Sequence, residues 1–129
     1  MKIANFGLWL IGAFLAWGAW IILDMSSPVK ISASSSLSVV KSSSVPVLVE
    51  FYADWCGPCK VVGPVVDQLA GEVSGKARVL RINVDDQPAA SREHGVRSIP
   101  TFIAFKNGKE VRREVGAIPK RVMLDMLGL

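Results

Sequence analysis

The chain has 129 residues, a length that suits one domain of common size with a short appendage. Half of the residues are hydrophobic, 20% are charged, and the formal net charge is +4. Because the basic residues are dispersed and form no clustered stripe, this charge argues against a nucleic-acid partner and indicates a mildly basic, solvated surface.

A long apolar segment comes first in the chain. Ile3–Leu23 contains 21 residues without a charge, and as a helix it would span about 31 Å, enough to cross a bilayer core of about 30 Å. We predict that residues 1–27 form a membrane anchor and tether. Lys2 precedes the run and Asp24 follows it, which favours export of the body of the protein. The alternative is a cleaved signal peptide, with the mature chain starting near Ala19.

The next stretch, Ser26–Ser44, is rich in serine and has two interpretations. It is either a flexible tether or a short strand at Val29–Ile31 followed by a short helix capped by Ser34 or Ser35. Beyond it, the β-branched and aromatic run Val45–Ala53 predicts a strand buried on both faces.

Apolar residues four apart after Cys56 predict a helix of about four turns, kinked at Pro64. A second strand is predicted at Ala77–Val84, and Pro88 near the start of the next segment indicates a short helix that continues to His94. We assign His94 to the surface of that helix.

The last third of the chain predicts a hairpin and a helix. The segments "TFIAFK" and "EVRREV" are strands joined by Asn107-Gly108, a strong hairpin signal. Ile118–Leu127 is amphipathic, with Pro119 in its first turn. The predicted order for residues 28–129 is β-α-β-α-β-α-β-β-α, an α/β domain with a mixed central sheet.

Cys56 and Cys59 are the only cysteines, and they stand in "WCGPCK". A structural zinc or iron–sulfur site needs about four ligands, and the only histidine is His94, so we predict no metal. A bridge closing so small a loop would add little stability. Redox chemistry is the interpretation that remains. At the start of a helix the amide groups favour the thiolate of Cys56, and Cys59 lies one turn further on.

Glu50 is the other candidate functional residue. A carboxylate inside an apolar strand, six residues before Cys56, is costly to bury unless it is paired or protonated. It is either a proton acceptor or donor for Cys59, or a solvent-facing residue at a strand edge.

The blocks "VLVEFYADWCGPCK", "RINVDD", "SIPTFIAFKNGKEV" and "VGA" resemble thioredoxin, over about four-fifths of the chain. The resemblance implies the thioredoxin fold, with Cys56 as attacking thiol and Cys59 as resolving thiol, joined in a redox disulfide when oxidised. It also implies a cis-proline at Pro100 that faces this pair. The implied substrate groove is lined by Trp55, Gly57, Pro58, Ile99, Pro100 and Gly116, with Lys60 nearby.

The chain departs from the family pattern at two places. The family usually has aspartate where this chain has Glu50, and soluble thioredoxins lack the apolar amino-terminal segment.

We therefore expect a membrane-anchored or exported thioredoxin that reduces disulfides in exported proteins, outside the cytoplasm and in a bacterial periplasm. The expected partners are disulfide-containing clients and a membrane thiol reductant, with membrane attachment through residues 3–23. We predict no cofactor and a monomer. A thioredoxin-fold binding or chaperone-like module with an incidental redox centre is the alternative.

Overall fold

The computed structural model describes residues 28–30 and 36–129. The elements of this part of the chain are β1 (Val29–Lys30), α1 (Ser36–Ser42), β2 (Val47–Tyr52), α2 (Gly57–Glu72), β3 (Arg78–Asn83), α3 (Pro88–Glu93), β4 (Thr101–Lys106), β5 (Lys109–Val115) and α4 (Lys120–Leu127). This order confirms the predicted one, including the short strand and helix in the serine-rich stretch. The predicted apolar span and the Ser34 or Ser35 cap lie outside the described residues. No helix among the described residues is long and apolar enough to span a bilayer.

The strands form one mixed sheet in the order β1-β3-β2-β4-β5. β1, β3 and β2 are parallel, whereas β4 is antiparallel to both β2 and β5. The two-residue β1 forms one edge, so β2 lies at the centre with a partner on each side. This position explains why Val47–Phe51 is buried along its whole length.

Alternate residues of β2 point to opposite faces of the sheet. Val47, Val49 and Phe51 join the apolar core that includes Val40 of α1 and Ala90 of α3. Leu48 joins the other core, which is built largely from α2 and α4. Glu50 has the parity of Leu48, so it lies on the face of the sheet that α2 covers.

The hairpin and the helix after Cys56 form as predicted, whereas the last helix begins later than predicted. Asn107 and Gly108 have φ values of 52° and 75°, as a two-residue turn of type I′ requires, and the hairpin is confirmed. α2 continues past Pro64 to Glu72. The last helix begins at Lys120, two residues later than predicted, because Pro119 has ψ of 155° and is its N-cap.

Candidate functional site

The site begins where β2 ends and α2 begins. Cys56 is the N-cap residue of α2, and its sulfur accepts a hydrogen bond from the backbone N–H of Cys59 at 3.2 Å. Pro58 lies in the first turn, where the N–H that proline lacks would have no partner inside the helix. The helix amides therefore meet the Cys56 sulfur, as the sequence indicated, and favour its thiolate form.

Cys56 and Cys59 form a disulfide, with their Cα atoms 5.2 Å apart. Both residues are buried, and they pack with Ala53, Val84 and Ile99. By contrast, their neighbours Trp55, Gly57, Pro58 and Lys60 are exposed. The pair therefore lies just below a surface that another polypeptide can reach.

The loop before β4 faces the Cys56 sulfur. The Ile99–Pro100 peptide bond is cis, and the carbonyl oxygen of Ile99 lies 3.8 Å from the Cys56 sulfur. Gly116 has φ of 94° and donates its backbone N–H to the carbonyl of Pro100 at 2.8 Å. Ile99, Pro100 and Gly116 thus meet on one side of the disulfide, although they are up to 17 positions apart in the sequence.

Trp55 forms an exposed wall beside the cysteines. Its side chain is 69% exposed, yet its indole N–H donates a hydrogen bond of 2.7 Å to Asp85, which holds the ring in place. Sequence reasoning did not single out Asp85. The indole–carboxylate bond joins residues 30 positions apart, and the local pattern carried no signal for it.

Glu50 is fully buried, which excludes the alternative of a solvent-facing glutamate. It lies opposite Arg81 in the parallel register of β2 and β3, and the Arg81 Nε donates to its Oε2 at 2.6 Å. The other carboxylate oxygen, Oε1, has no hydrogen-bond partner among the residues that the structure describes. Burial raises the pKa of Glu50 above its ordinary value, and the charge of Arg81 offsets part of that rise.

Arg81 is a site residue that sequence reasoning missed. Besides Glu50, its guanidinium lies 4.3 Å from the centre of the Tyr52 ring, and its Nη1 lies 4.0 Å from Asp67. A signal was present in the sequence: "VLVEFY" carries one acidic residue inside an apolar strand, and "RVLRIN" carries Arg81 inside the strand in addition to Arg78 at its start. Two adjacent buried strands with opposite charges are expected to pair them.

A cavity of about 430 Å³ adjoins this buried pair. Its lining includes Tyr52, Asp54, Cys59, Lys60, Asp67 and Arg81. Its lining includes Cys59 but neither Trp55 nor the Ile99–Pro100 loop. Cys59 and Arg81, the partner of Glu50, therefore border the same cavity.

His94 does not lie on a helix surface, and that assignment was wrong. It is the C-cap residue of α3, and its ring packs at 5.7 Å from Phe51 and 5.6 Å from Phe105, measured between ring centres. Partial burial lowers the pKa of His94. Because Phe51 and Phe105 come from two other elements, the sequence around His94 could not indicate this packing.

Comparison with known proteins agrees with this geometry. A family model described as Thioredoxin matches residues 27–128. The chain belongs to the thioredoxin family. Thioredoxin of Haemophilus influenzae is 45% identical over 103 residues, which cover 80% of this chain and 96% of that protein. Thioredoxin 1 of a Nostoc species is 44% identical with the same coverage.

A solved structure supports the same assignment. A thioredoxin mutant from Halobacterium salinarum has a TM-score of 0.73 and 36% identity, and the match covers 80% of this chain and 89% of that one. Thioredoxins are protein-disulfide reductases, so this chain is a thiol–disulfide oxidoreductase with Cys56 and Cys59 as its redox pair.

Proposed function

We propose that this thioredoxin reduces disulfides in exported proteins while residues 3–23 hold it at the membrane, with the domain outside the cytoplasm. The observation that carries the proposal is the uncharged run of 21 residues ahead of a thioredoxin domain. The Haemophilus and Nostoc thioredoxins match over 80% of this chain, and the apolar run lies outside the residues matched by the family model.

The direction of β1 supports this arrangement. β1 is parallel to β3 and β2, and Cys56 follows the carboxyl end of β2. Pro28, just before β1, therefore lies toward the opposite end of the sheet. A tether attached there leaves the Trp55 surface and the cysteines directed away from the membrane, where clients can reach them.

In the proposed reaction, the Cys56 thiolate attacks one sulfur of a client disulfide and forms a mixed disulfide, and the other client sulfur leaves as a thiolate. Cys59 then loses its proton and attacks the Cys56 sulfur. The client leaves as a dithiol, and the enzyme is left oxidised, with a Cys56–Cys59 disulfide. The position of Cys56 as the N-cap of α2, where its sulfur accepts a hydrogen bond from the Cys59 backbone N–H, supports this order of attack.

Glu50 is the proposed proton acceptor for Cys59. It lies on the face of β2 that α2 covers, its pKa is raised, and one of its carboxylate oxygens has no hydrogen-bond partner within the described part of the chain. A carboxyl group with a raised pKa can take up a proton nearer neutral pH than an exposed glutamate can. The cavity beside Cys59 and Arg81 provides room for solvent next to this pair.

The redox pair is expected to be a reductant. Gly57 and Pro58 bring no side-chain charge to the Cys56 sulfur, and among the described residues its hydrogen-bond donor is the backbone N–H of Cys59. A modestly stabilised thiolate gives a low potential, so we expect a value near the roughly −270 mV of thioredoxin rather than the roughly −120 mV of a strong oxidant. A membrane thiol reductant must then restore the dithiol after each turnover.

Three measurements test the location of the domain, its attachment to the membrane and its reduction potential. Alkaline phosphatase fused after Leu129 should be active, and the protein should stay in the membrane fraction after a carbonate wash. A soluble product beginning near Ala19 would establish cleavage instead, and an inactive fusion made in normal amounts would overturn export. Equilibration with a glutathione redox series measures the potential, and a value above about −180 mV would exclude the reductant role.

A further inference from the structure

A second pocket lies beside the cysteines, on the side of α3. Its volume is about 410 Å³, and it is lined by Trp55, Val84, Ser91, Val96, Arg97, Ser98 and Ile99. This size falls within the range of roughly 300–1,000 Å³ that small-molecule sites have. The pocket is large enough to take at least one client side chain.

The pocket is connected to the reacting sulfur. Val84 and Ile99 contribute to its lining and also pack against the buried cluster of Ala53, Cys56 and Cys59. Trp55 forms another wall, fixed by its hydrogen bond to Asp85. A client whose cysteine reaches the Cys56 sulfur therefore places a neighbouring residue at this pocket.

The apolar part of the lining indicates what enters. Val84, Val96 and Ile99 are partly buried and continue the apolar core on that face of the sheet. Together with the indole of Trp55 they form an apolar surface, for which an aliphatic or aromatic client side chain is the complementary group.

Arg97 provides the charge. It is exposed and is the only charged residue in the pocket lining. Among the described residues, no ion pair or side-chain hydrogen bond joins Arg97 to another residue; the same holds for Arg78, Arg92 and Arg121, but none of these three lines the pocket. A guanidinium has no acceptor capacity, and a carboxylate matches its planar donors. Within an unmodified polypeptide, the complementary group is aspartate or glutamate.

We propose that this pocket selects client segments that carry an apolar and an acidic residue close to the reacting cysteine, with the acidic residue bound by Arg97. This inference rests on the disulfide reduction and on the attack by Cys56 described above. It adds a specificity residue, Arg97, that contacts the client and takes no part in the exchange of electrons.

The test uses the full-length chain in detergent micelles, reduced beforehand, and follows a single turnover with short peptides that contain one disulfide. In each peptide a leucine flanks the cysteine, and the residue beside this leucine is glutamate, glutamine or lysine. Each peptide is made in two versions, with this pair of residues before or after the cysteine. At low salt the glutamate peptide should react about two- to fivefold faster than the glutamine peptide, the range expected of one exposed ion pair. The lysine peptide should be slowest, and 0.5 M salt should reduce the differences.

Three variants decide the origin of the preference. Arg97→Gln should remove it, and Arg97→Glu should reverse it in favour of the lysine peptide. Arg92→Gln is the matched control, because Arg92 is also exposed and lies on α3 but does not line the pocket. With Arg92→Gln, a small aromatic disulfide without a peptide should be reduced at the wild-type rate.

Different results would contradict each part of the proposal. Equal preferences in the wild type and in Arg97→Gln, or the same change in Arg92→Gln, would overturn the assignment to Arg97. Replacement of the leucine by serine should slow all peptides, and an unchanged rate would overturn the apolar part. Failure to reduce any peptide and the small disulfide would overturn the reductase function, and the inference with it.

Discussion

The two sulfurs of the Cys56–Cys59 disulfide border very different environments. On the Cys56 side there are exposed groups, including Trp55 at 69% exposure, and an open pocket with a single arginine. On the Cys59 side there are Glu50, which is fully buried, and Arg81, paired at 2.6 Å. We propose a division of tasks from this comparison: one side contacts the client, and the other controls a proton.

The physical difference between the sides is the solvent around each charge. Charges in a poorly solvated interior interact several times more strongly than charges in water. An exposed charge such as that of Arg97 is screened by salt within about 10 Å. Changes on the Cys59 side should therefore have larger effects on stability and pH dependence, while changes on the Cys56 side should affect the choice of client.

The largest effect on activity is expected when one of the two cysteines is replaced by serine. Cys59→Ser should leave Cys56 able to attack but remove the thiol that releases the client, so turnover should be lost almost completely and mixed disulfides should accumulate. Non-reducing gels measure these adducts, and Cys56→Ser should form none of them. If Cys59→Ser stayed free of adducts while the wild type was active, the assigned order of the two thiols would be wrong.

Removal of Arg81 should have the next largest effect. Arg81→Met leaves Glu50 buried without its partner, and loss of one member of a buried pair typically costs about 3–5 kcal/mol. Since Glu50 can take up a proton, the loss should be largest at pH 8 and smaller near pH 5. Urea unfolding at several pH values measures it, and Glu50→Gln in the same chain should restore part of the stability.

The matched control for Arg81 lies on the other side of the disulfide. Arg97→Gln should change the free energy of unfolding by less than about 0.5 kcal/mol, because the side chain is exposed and unpaired among the described residues. Equal losses for the two arginine variants would contradict the proposed difference between the two sides.

Glu50→Gln should separate the proton function from the fold. A folded pKa above the ordinary value of 4.5 means that the folded state binds more protons in the interval between the two values. The contribution of Glu50 to stability therefore falls as pH rises through that interval, and the free energy of unfolding of the glutamine variant should lack this pH-dependent component.

The same variant should slow disulfide exchange near neutral pH, by about tenfold, below the usual 10²–10⁴ of general acid–base catalysis because water in the adjoining cavity can replace the carboxylate in part. Stopped-flow rates of wild type and variant from pH 6 to 9 measure this. Identical pH profiles would leave Glu50 with no role beyond its pairing with Arg81.

The smallest effect is expected at His94, which lines neither of the two cavities beside the cysteines. Its folded pKa lies below the ordinary 6.5, so the unfolded state binds more protons between the two values. Stability should fall as pH falls from about 6.5 through the lowered pKa, and His94→Phe should lack this component. The difference between wild type and variant in urea midpoint, from pH 7.5 to 5, measures it; a difference independent of pH would contradict the assignment.

Local patterns were sufficient to predict the element order and the reactive pair. The buried run before Cys56, the four-residue spacing after it and Asn107-Gly108 are signals carried by neighbouring residues, and each led to the observed element. The chemistry of "WCGPCK" also lies within six consecutive positions, since an N-cap residue and the first turn of its helix are adjacent in the chain. The span at Ile3–Leu23 stays a prediction.

Only the tertiary structure decided which residues contact Glu50, His94 and Arg97. Pairing of Glu50 with Arg81 depends on the register of two parallel strands 31 positions apart, and the packing of His94 depends on two phenylalanines from β2 and β4. The pocket with Arg97 needs Trp55 beside residues 84 to 99. Propensity and periodicity act over a few residues, whereas the burial and partner of a charge are set by segments that meet only when the sheet forms.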